Sequence, residues 1–145
     1  MGTGTKPDLL GAAHELRLVL GRLVRRMRAE ATLPLNQATV LSRLDRDGEL
    51  STSALAERER MRPQSMAQTV KDLEAAGLVA GHGDPSDARR VLLTLTAAGR
   101  KTLLTDRSRR EDWLSGAIEQ RLTAKEQETL VRAIELLGRL ADGPH

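Results

Sequence analysis

The near absence of aromatic and thiol side chains constrains this chain more than any other feature of its sequence. Trp113 is the one aromatic residue among 145, and cysteine does not occur. The hydrophobic core must therefore be built from aliphatic side chains. Disulfides, thiolate metal sites and cysteine nucleophiles are excluded, and so are the aromatic surfaces on which RNA and single-stranded DNA stack. A chain of this length can still bury about 70% of its unfolded surface in one domain without such crosslinks.

The charge balance is only a weak indication of an anionic partner. Lysine and arginine total 23 against 20 acidic residues, a formal net charge of +3, whereas strong polyanion binders usually carry a larger excess. Met1 to Lys6 lack the apolar core of a targeting signal, and no apolar run approaches the ~20 residues of a membrane span. We therefore expect a soluble, cytoplasmic protein that does not associate with membranes.

Apolar residues at helical spacing predict long helices at both ends of the chain. The first begins after Asp8, a suitable N-cap, and its apolar stripe is wider than one packing partner requires. Such a stripe indicates contact with a second chain as well as with the helix's own domain. Two further helices follow Thr96, and Thr123 and Glu126 have capping-box spacing at the start of the last one. Residues 1–7 are predicted to be a disordered tail.

Three shorter helices are predicted in the middle of the chain. One ends at the C-cap pair Asp47-Gly48, the next has Ser51 as its N-cap, and the third begins at Pro63 and ends at Gly77. The second and third are joined by a four-residue turn, Glu59 to Arg62, which makes them a candidate helix-turn-helix.

A two-stranded hairpin is predicted after the helix-turn-helix. Residues 78–81 and 90–96 are the strand candidates, and the turn-rich segment 83–88 separates them. The stretch at Leu50 is too short for more than one strand pair. The predicted order is α-α-α-α-β-β-α-α, a mainly helical fold with a small β wing.

The helix that begins at Pro63 has the composition of a DNA-reading helix. Met66, Val70 and Leu73 form its apolar side. The opposite side carries hydrogen-bonding groups, and side-chain amides and hydroxyls are the groups that read base edges in the major groove. The polar residues on that side are Gln64, Ser65, Gln68 and Lys71. The alternative is an amphipathic surface helix without a partner. The hairpin predicted directly after this helix makes that alternative less favoured.

Two carboxylates and two arginines are predicted at the hairpin tip, between Asp84 and Arg90. In one interpretation Arg89 enters a narrow minor groove, where the negative potential is enhanced, and Asp84 or Asp87 orients its guanidinium. In the other, these residues form a loop salt bridge with no partner. The residues by themselves favour neither interpretation.

No arrangement of residues predicts catalysis or metal binding. His14, His82 and His145 are far apart in the sequence and lack Ser or Asp neighbours at a triad spacing. No glycine-rich phosphate loop is present. We therefore expect a protein that is not an enzyme and uses no cofactor or metal.

Several segments resemble the MarR family of transcriptional regulators. Residues 55–79 are similar to the family's helix-turn-helix, and Asp84-Pro85-Ser86-Asp87-Ala88-Arg89 resembles its wing. Leu95-Thr96-Ala97-Ala98-Gly99 resembles the start of its fifth helix, and Leu122-Thr123-Ala124-Lys125-Glu126 the opening of its last. The resemblance spans about residues 8–141, and the wing combined with the Leu-Thr-x-x-Gly sequence is its specific part.

The resemblance implies a winged-helix homodimer that binds double-stranded DNA. Residues 8–145 would form one such unit, with dimerisation helices at 8–32 and 97–141 and a DNA-binding lobe at 35–96. The fourth helix would enter the major groove and the wing the adjacent minor groove. The implied base-reading, wing and phosphate-contacting residues are Ser51, Ser53, Arg62, Gln64, Ser65, Gln68, Lys71, Arg89 and Arg90.

The resemblance also implies a regulatory role, usually that of a repressor on a pseudo-palindromic operator. Such regulators commonly hold a small aromatic or anionic effector between the dimer helices and the DNA-binding lobe. The implied effector contacts in this chain are His14, Arg17 and Trp113. A regulator without a ligand is the alternative.

The charge of the DNA-reading region departs from the family's usual pattern. Residues 51–90 contain six basic and six acidic side chains. Glu59 brings a negative charge to the turn near the DNA face, and Arg62 stands where a capping Ser or Thr is common. This local neutrality supports an alternative from another class, a winged-helix dimer that binds protein without reading DNA.

Overall fold

The computed structural model describes residues 4–143. Its elements are α1 (Leu9–Ala29), α2 (Leu35–Asp47), β1 (Leu50–Ser51), α3 (Thr52–Arg58), α4 (Pro63–Ala75), β2 (Val79–Asp84), β3 (Asp87–Leu95), α5 (Ala97–Arg121) and α6 (Ala124–Ala141). The predicted mainly helical fold with a β wing is confirmed, with the short β1 added. Of the predicted tail, residues 4–7 have no regular secondary structure, and residues 1–3 lie outside the described range, as do Pro144 and His145. None of the described helices combines the length and hydropathy of a membrane span.

The described chain forms two compact units. One comprises the residues up to Glu30 together with those from Arg110 onward, and the other comprises Ala31–Arg109. The division falls inside α5, because Leu103 in its first half is buried in the core of the second unit. The second unit contains α2, α3, α4 and the sheet, which together make a winged helix-turn-helix.

An aliphatic core fixes both helices of the helix-turn-helix. Leu41 of α2, Leu55 of α3, Met66 and Leu73 of α4, and Leu93 of β3 are all fully buried. They belong to one contiguous cluster. Burying an aliphatic side chain contributes about 1.5–3 kcal/mol, so this cluster decides which side of α4 faces inward.

The three strands pair antiparallel in the order β1-β3-β2. Leu50 pairs with Leu93, which ties the start of α3 to the central strand. Val79 pairs with Leu95 at the base of the hairpin, and Asp84 pairs with Asp87 at its end. Val79 also belongs to the buried core cluster, so the base of the hairpin is anchored to the helix-turn-helix.

The hairpin turn is shorter than the sequence predicts. The strands extend to Asp84 and from Asp87, leaving only Pro85 and Ser86 as the turn. Asp84 Oδ1 accepts hydrogen bonds from the Ser86 backbone N–H (2.9 Å) and hydroxyl (2.7 Å), which closes a tight turn of the kind an aspartate can stabilise. The expectation that Arg89 lies at the tip is therefore wrong, because Arg89 is already part of β3.

The predicted helix caps are confirmed. Asp8 and Ser51 accept hydrogen bonds from the N–H groups of Gly11 and Ala54, and Thr123 forms the full capping box with Glu126. These caps need only residues close in sequence, which is why local spacing was sufficient to predict them.

Two helices expose a broad apolar surface. Neither α1 nor α6 has a buried residue. Their exposed large apolar side chains are Leu9, Leu10, Leu18, Val19, Leu20, Leu23, Val24, Val131, Ile134, Leu136 and Leu140. Monomeric proteins rarely leave large apolar patches exposed to water, so we expect a partner to cover these side chains.

Candidate nucleic-acid interface

Helix α4 presents a row of polar side chains to solvent. Met66, Thr69, Val70 and Leu73 are its buried residues, and the opposite side carries Gln64, Ser65, Gln68 and Lys71, all exposed. Each of these can donate a hydrogen bond, and the amides can also accept one. The arrangement is chemically suited to the edges of base pairs.

The beginning of α4 is open to an anion. Its N-cap is Arg62, which makes no side-chain capping bond, and Pro63 occupies the first helical turn. The remaining first-turn N–H groups have no acceptor within the helix, and the helix dipole favours negative charge there. A phosphate group and the exposed Arg62 guanidinium are both compatible with this end of the helix.

A partly buried polar contact fixes α4 against α2. Asn36 Nδ2 donates to Thr69 Oγ1 at 3.0 Å, and the Thr69 hydroxyl donates to the Ser65 carbonyl at 3.1 Å. Only one of the two residues lies on α4, so no periodicity within the helix revealed the pair. The bond restricts rotation of α4, which sets the direction of its polar row.

Gln68 is held by a neighbour on its own helix. Its Nε2 donates to Asp72 Oδ1 at 2.9 Å, one helical turn away. This contact leaves Gln68 Oε1 available as an acceptor. The amide is thus oriented before any DNA contact, which reduces the side-chain entropy lost on binding.

Ser51 is not exposed to solvent, contrary to what a phosphate contact requires. It is only 5% exposed, and its hydroxyl oxygen accepts from the Ala54 N–H at 3.1 Å and from Arg90 Nη2 at 3.2 Å. The Ser53 hydroxyl oxygen lies 3.2 Å from that of Ser51, and the Ser53 side chain is exposed. The structure therefore places Ser53, Arg89 and Arg90 on the surface and leaves Ser51 to orient Arg90.

The wing carboxylates bond to the wing itself. Asp87 Oδ1 accepts from the Arg89 backbone N–H at 3.0 Å, so it braces the strand of Arg89. Two hydrogen bonds from Ser86 hold the pKa of Asp84 below its ordinary value, and the bond from the hydroxyl contributes more than the bond from the backbone N–H. Within the described chain neither carboxylate forms an ion pair with the Arg89 guanidinium, which leaves that side chain exposed for a partner.

An ionic cluster supports the turn of the helix-turn-helix. Arg43 of α2 donates from Nε to Glu59 Oε1 (2.5 Å) and from Nη1 to Asp47 Oδ2 (3.2 Å), and Arg58 Nη1 donates to the same Asp47 oxygen (2.6 Å). The bond to Glu59 raises the pKa of Arg43, and bonds from Arg58 and then Arg43 lower the pKa of Asp47. We call Arg43, Asp47, Arg58 and Glu59 the turn cluster. The negative charge that the sequence places at Glu59 is thereby neutralised by a residue of another helix.

The implied effector residues do not share one cavity within the described protomer. His14 and Arg17 line an open depression of about 640 Å³ along α1. Trp113 lines a separate cavity of about 240 Å³ on α5. The Trp113 ring also lies 5.2 Å from the guanidinium carbon of Arg26, a cation–π distance. Residues 4–143 contain no group of three or more His, Asp or Glu side chains placed to bind a metal.

The fold and this surface define a winged helix-turn-helix protein. The sequence profile of the MarR family matches residues 31–90. An HTH-type transcriptional regulator of Mycobacterium leprae is 31% identical over 133 residues, covering 90% of this chain and 92% of the relative. An HTH-type transcriptional repressor of Mycobacterium tuberculosis is 35% identical over 107 residues, covering 73% and 76%. The chain belongs to the MarR family of HTH-type, DNA-binding transcriptional regulators.

Solved structures agree with this assignment. A putative transcriptional regulator from Pseudomonas aeruginosa has a TM-score of 0.83 and 34% identity, covering 97% of this chain and all of that one. A MepR variant from S. aureus bound to an oligodeoxyribonucleotide has a TM-score of 0.69 at 18% identity, covering 89% and 97%. At that identity the second likeness supports the fold alone.

Proposed function

We propose that this regulator is a sequence-specific repressor that binds a pseudo-palindromic duplex operator as a homodimer. The observation that carries the proposal is the polar row of α4, fixed by the core beneath it and by the Asn36–Thr69 bond. A helix with this amphipathic division fits the major groove of B-DNA. A wing beside it can reach the neighbouring minor groove.

The proposed contacts divide into base readers and phosphate binders. Gln64, Ser65 and Gln68 read bases, and Arg62, Lys71, Ser53 and Arg90 contact the backbone. Arg89 enters the minor groove, where a narrow A·T tract attracts a guanidinium. Ser51 acts indirectly, through its hydrogen bond to Arg90.

The proposed dimer forms through the apolar surface of α1 and α6, together with the second half of α5. Neither α1 nor α6 has a buried residue in the protomer, and a second copy would remove that apolar surface from water. Dimer symmetry then predicts two half-sites about 34 Å apart along the DNA. Sedimentation equilibrium checks the oligomeric state, and a protein that stays monomeric at micromolar concentration contradicts the proposal.

Two alanine substitutions test the DNA contacts. Gln68→Ala should weaken binding to a duplex selected by the wild-type protein by about thirtyfold or more, since the homodimer loses one bidentate base contact in each half-site and each contributes ~1–3 kcal/mol. It should also relax the sequence preference at one base pair in each half-site. Arg89→Ala should weaken binding with little change in the bases preferred in the major groove. Fluorescence anisotropy measures affinity, and repeated selection measures the preference.

The matched controls lie outside α4, the wing and the proposed dimer surface. Arg46→Ala removes an exposed arginine from α2, and Lys101→Ala removes an exposed lysine from the first half of α5; both should bind the selected duplex like the wild type. Equal affinity for all four variants contradicts the groove assignments. If the wild-type dimer selects no duplex but captures a protein, the protein-interaction alternative takes its place.

We propose further that a small aromatic or anionic effector releases the operator, with His14, Arg17 and Trp113 as its contacts. Support comes from the open depression beside His14 and Arg17, which could take an anionic group, and from Trp113, which lines a separate cavity and is the one aromatic apolar side chain in the chain. Since it is also the one tryptophan, quenching of its fluorescence by phenolic acids reports binding directly. Quenching without operator release, or no quenching across a diverse set, contradicts this part of the proposal.

A further inference from the structure

We propose that Arg43 is an electrostatic positioning residue for DNA binding, although it lies on α2 and outside the polar row of α4. Its guanidinium pairs with the Glu59 carboxylate, the one negative charge in the turn from Glu59 to Arg62, so that this charge is not left unpaired beside the phosphates. This inference rests on the proposed function and extends it to a residue that touches no DNA.

The geometry commits Arg43 to this role. One guanidinium contacts two carboxylates, Glu59 through Nε (2.5 Å) and Asp47 through Nη1 (3.2 Å). The side chains of Arg43 and Glu59 are 24% and 16% exposed, so salt screens the pair less than it screens a pair in free solution. Among the described residues no second cation pairs with Glu59, because Arg58 is bonded to Asp47.

Glu59 is close enough to the start of α4 to act on bound DNA. It is the C-cap of α3 and precedes Arg62, the N-cap of α4, by three residues. Three extended residues span at most about 11 Å, and this turn is folded, with Arg60 at a φ of 52°, so the separation is below that bound and comparable with the Debye length at physiological salt, about 8 Å. An unpaired carboxylate at this position would therefore repel a phosphate held at the helix N-terminus.

The turn itself is rigid, which keeps Glu59 at that place. The Glu59 N–H donates to the Leu55 carbonyl (3.0 Å) and the Met61 N–H donates to the Ala56 carbonyl (2.9 Å). Arg60, between them, has a φ of 52°, a left-handed conformation that the hydrogen bonds on either side maintain. Loss of Arg43 would thus expose the Glu59 charge without allowing the turn to swing away.

A series of charge-neutralising variants distinguishes an electrostatic role of Arg43 from a merely structural one. Arg43→Gln should weaken binding to the selected duplex by about three- to tenfold, and Glu59→Gln should leave affinity equal or raise it by up to about threefold. The Arg43→Gln/Glu59→Gln double variant restores the charge balance and should bind like the wild type. A structural role predicts the opposite for Glu59→Gln, since that change breaks the same ion pair.

Salt supplies a second readout. Because repulsion is screened, the ratio of wild-type to Arg43→Gln affinity should shrink toward one as salt rises from 50 to 300 mM (roughly Debye lengths of 14 and 6 Å). Arg46→Gln is the matched control, since it removes an exposed arginine of α2 that forms no ion pair among the described residues, and it should change affinity less than Arg43→Gln does. Thermal unfolding verifies that each variant is folded.

The outcomes are distinguishable. A salt-independent loss in Arg43→Gln that the double variant does not restore overturns the role of Arg43, while the proposed function stands. Wild-type protein that selects no duplex overturns the proposed function, and this inference with it. If the double variant restores affinity and the Arg43→Gln loss shrinks as salt rises, the result supports both the role of Arg43 and the proposed function.

Discussion

Replacing Gly99 with alanine is expected to destabilise the winged-helix unit by about 3 kcal/mol or more, because the added methyl group meets backbone that cannot move away. A Cβ at this position would lie 2.0 Å from the Leu78 carbonyl oxygen and 2.9 Å from its carbon. Gly99 itself is buried in the first turn of α5. To make room, α5 would have to separate from the start of the wing.

The neighbouring bonds explain why separation is costly. The Thr96 N–H donates to that same Leu78 oxygen at 3.1 Å. The Thr96 hydroxyl donates to the Gly77 carbonyl at 2.7 Å and accepts from the Gly99 N–H at 2.9 Å. Thr96 and Gly99 therefore join the end of α4, the base of the hairpin and the start of α5 in one hydrogen-bonded junction. This junction is the physical reason for the Leu-Thr-x-x-Gly spacing.

Urea denaturation followed by circular dichroism measures the effect. Gly83→Ala is the matched control because it lies in the same compact unit and nothing approaches its Cβ position within 4 Å. That control should be neutral or more stable by up to about 1 kcal/mol, the usual gain from replacing glycine inside a strand. A Gly99→Ala midpoint equal to that of the wild type contradicts the packing described here.

Features with short sequence separation were predictable. Ser51, Gly77 and Thr123 were identified as helix ends from spacing, because each acts on backbone groups within a few residues. Gly77 has the expected positive φ of 74°, and Leu78 N–H closes the end of α4 on the Leu73 carbonyl at 3.0 Å. The wing was located for the same reason, although its turn proved shorter once Asp84 bonded to Ser86.

The polar row of α4 was predictable, but its supports were not. The periodicity of Met66, Val70 and Leu73 indicates which side of the helix faces inward. The exposure of Gln64 and Gln68 on the opposite side can therefore be predicted from the sequence. Arg43 and Asn36 act from another helix, and sequence spacing within α4 carries no information about them. Ser51 illustrates the converse, since its capping role was predicted but its burial against Arg90, 39 residues away, was not.

The same limit applies to the charge of the site. Counting residues between 51 and 90 gives neutrality. The count includes Glu59 and Arg58 but omits their partners outside the segment, Arg43 and Asp47. Those two outside charges cancel, so the sum stays at zero, and what the structure adds is that the Glu59 carboxylate is paired, which a count of residues does not reveal.

Replacing Asp106 with alanine should lower the free energy of unfolding by about 3 kcal/mol, because it removes the acceptor of two backbone N–H groups. Asp106 is completely buried. Its Oδ1 accepts from the Thr32 N–H at 2.7 Å, the Thr32 hydroxyl at 3.2 Å and the Leu33 N–H at 3.2 Å. These bonds connect α5 to the segment that leads into α2, so the loss should appear in the melting temperature and in the urea midpoint.

Two further variants identify the cause. Asp106→Asn keeps a carbonyl oxygen where Oδ1 lies, so it should lose less stability than Asp106→Ala if the backbone hydrogen bonds dominate. Asp112→Ala removes an exposed carboxylate from the same helix and should change stability by no more than about 0.5 kcal/mol. If alanine and asparagine at 106 cost equally, the negative charge and not the backbone acceptor is what the fold requires. If neither costs more than Asp112→Ala, the hydrogen bonds of Asp106 do not stabilise the segment before α2.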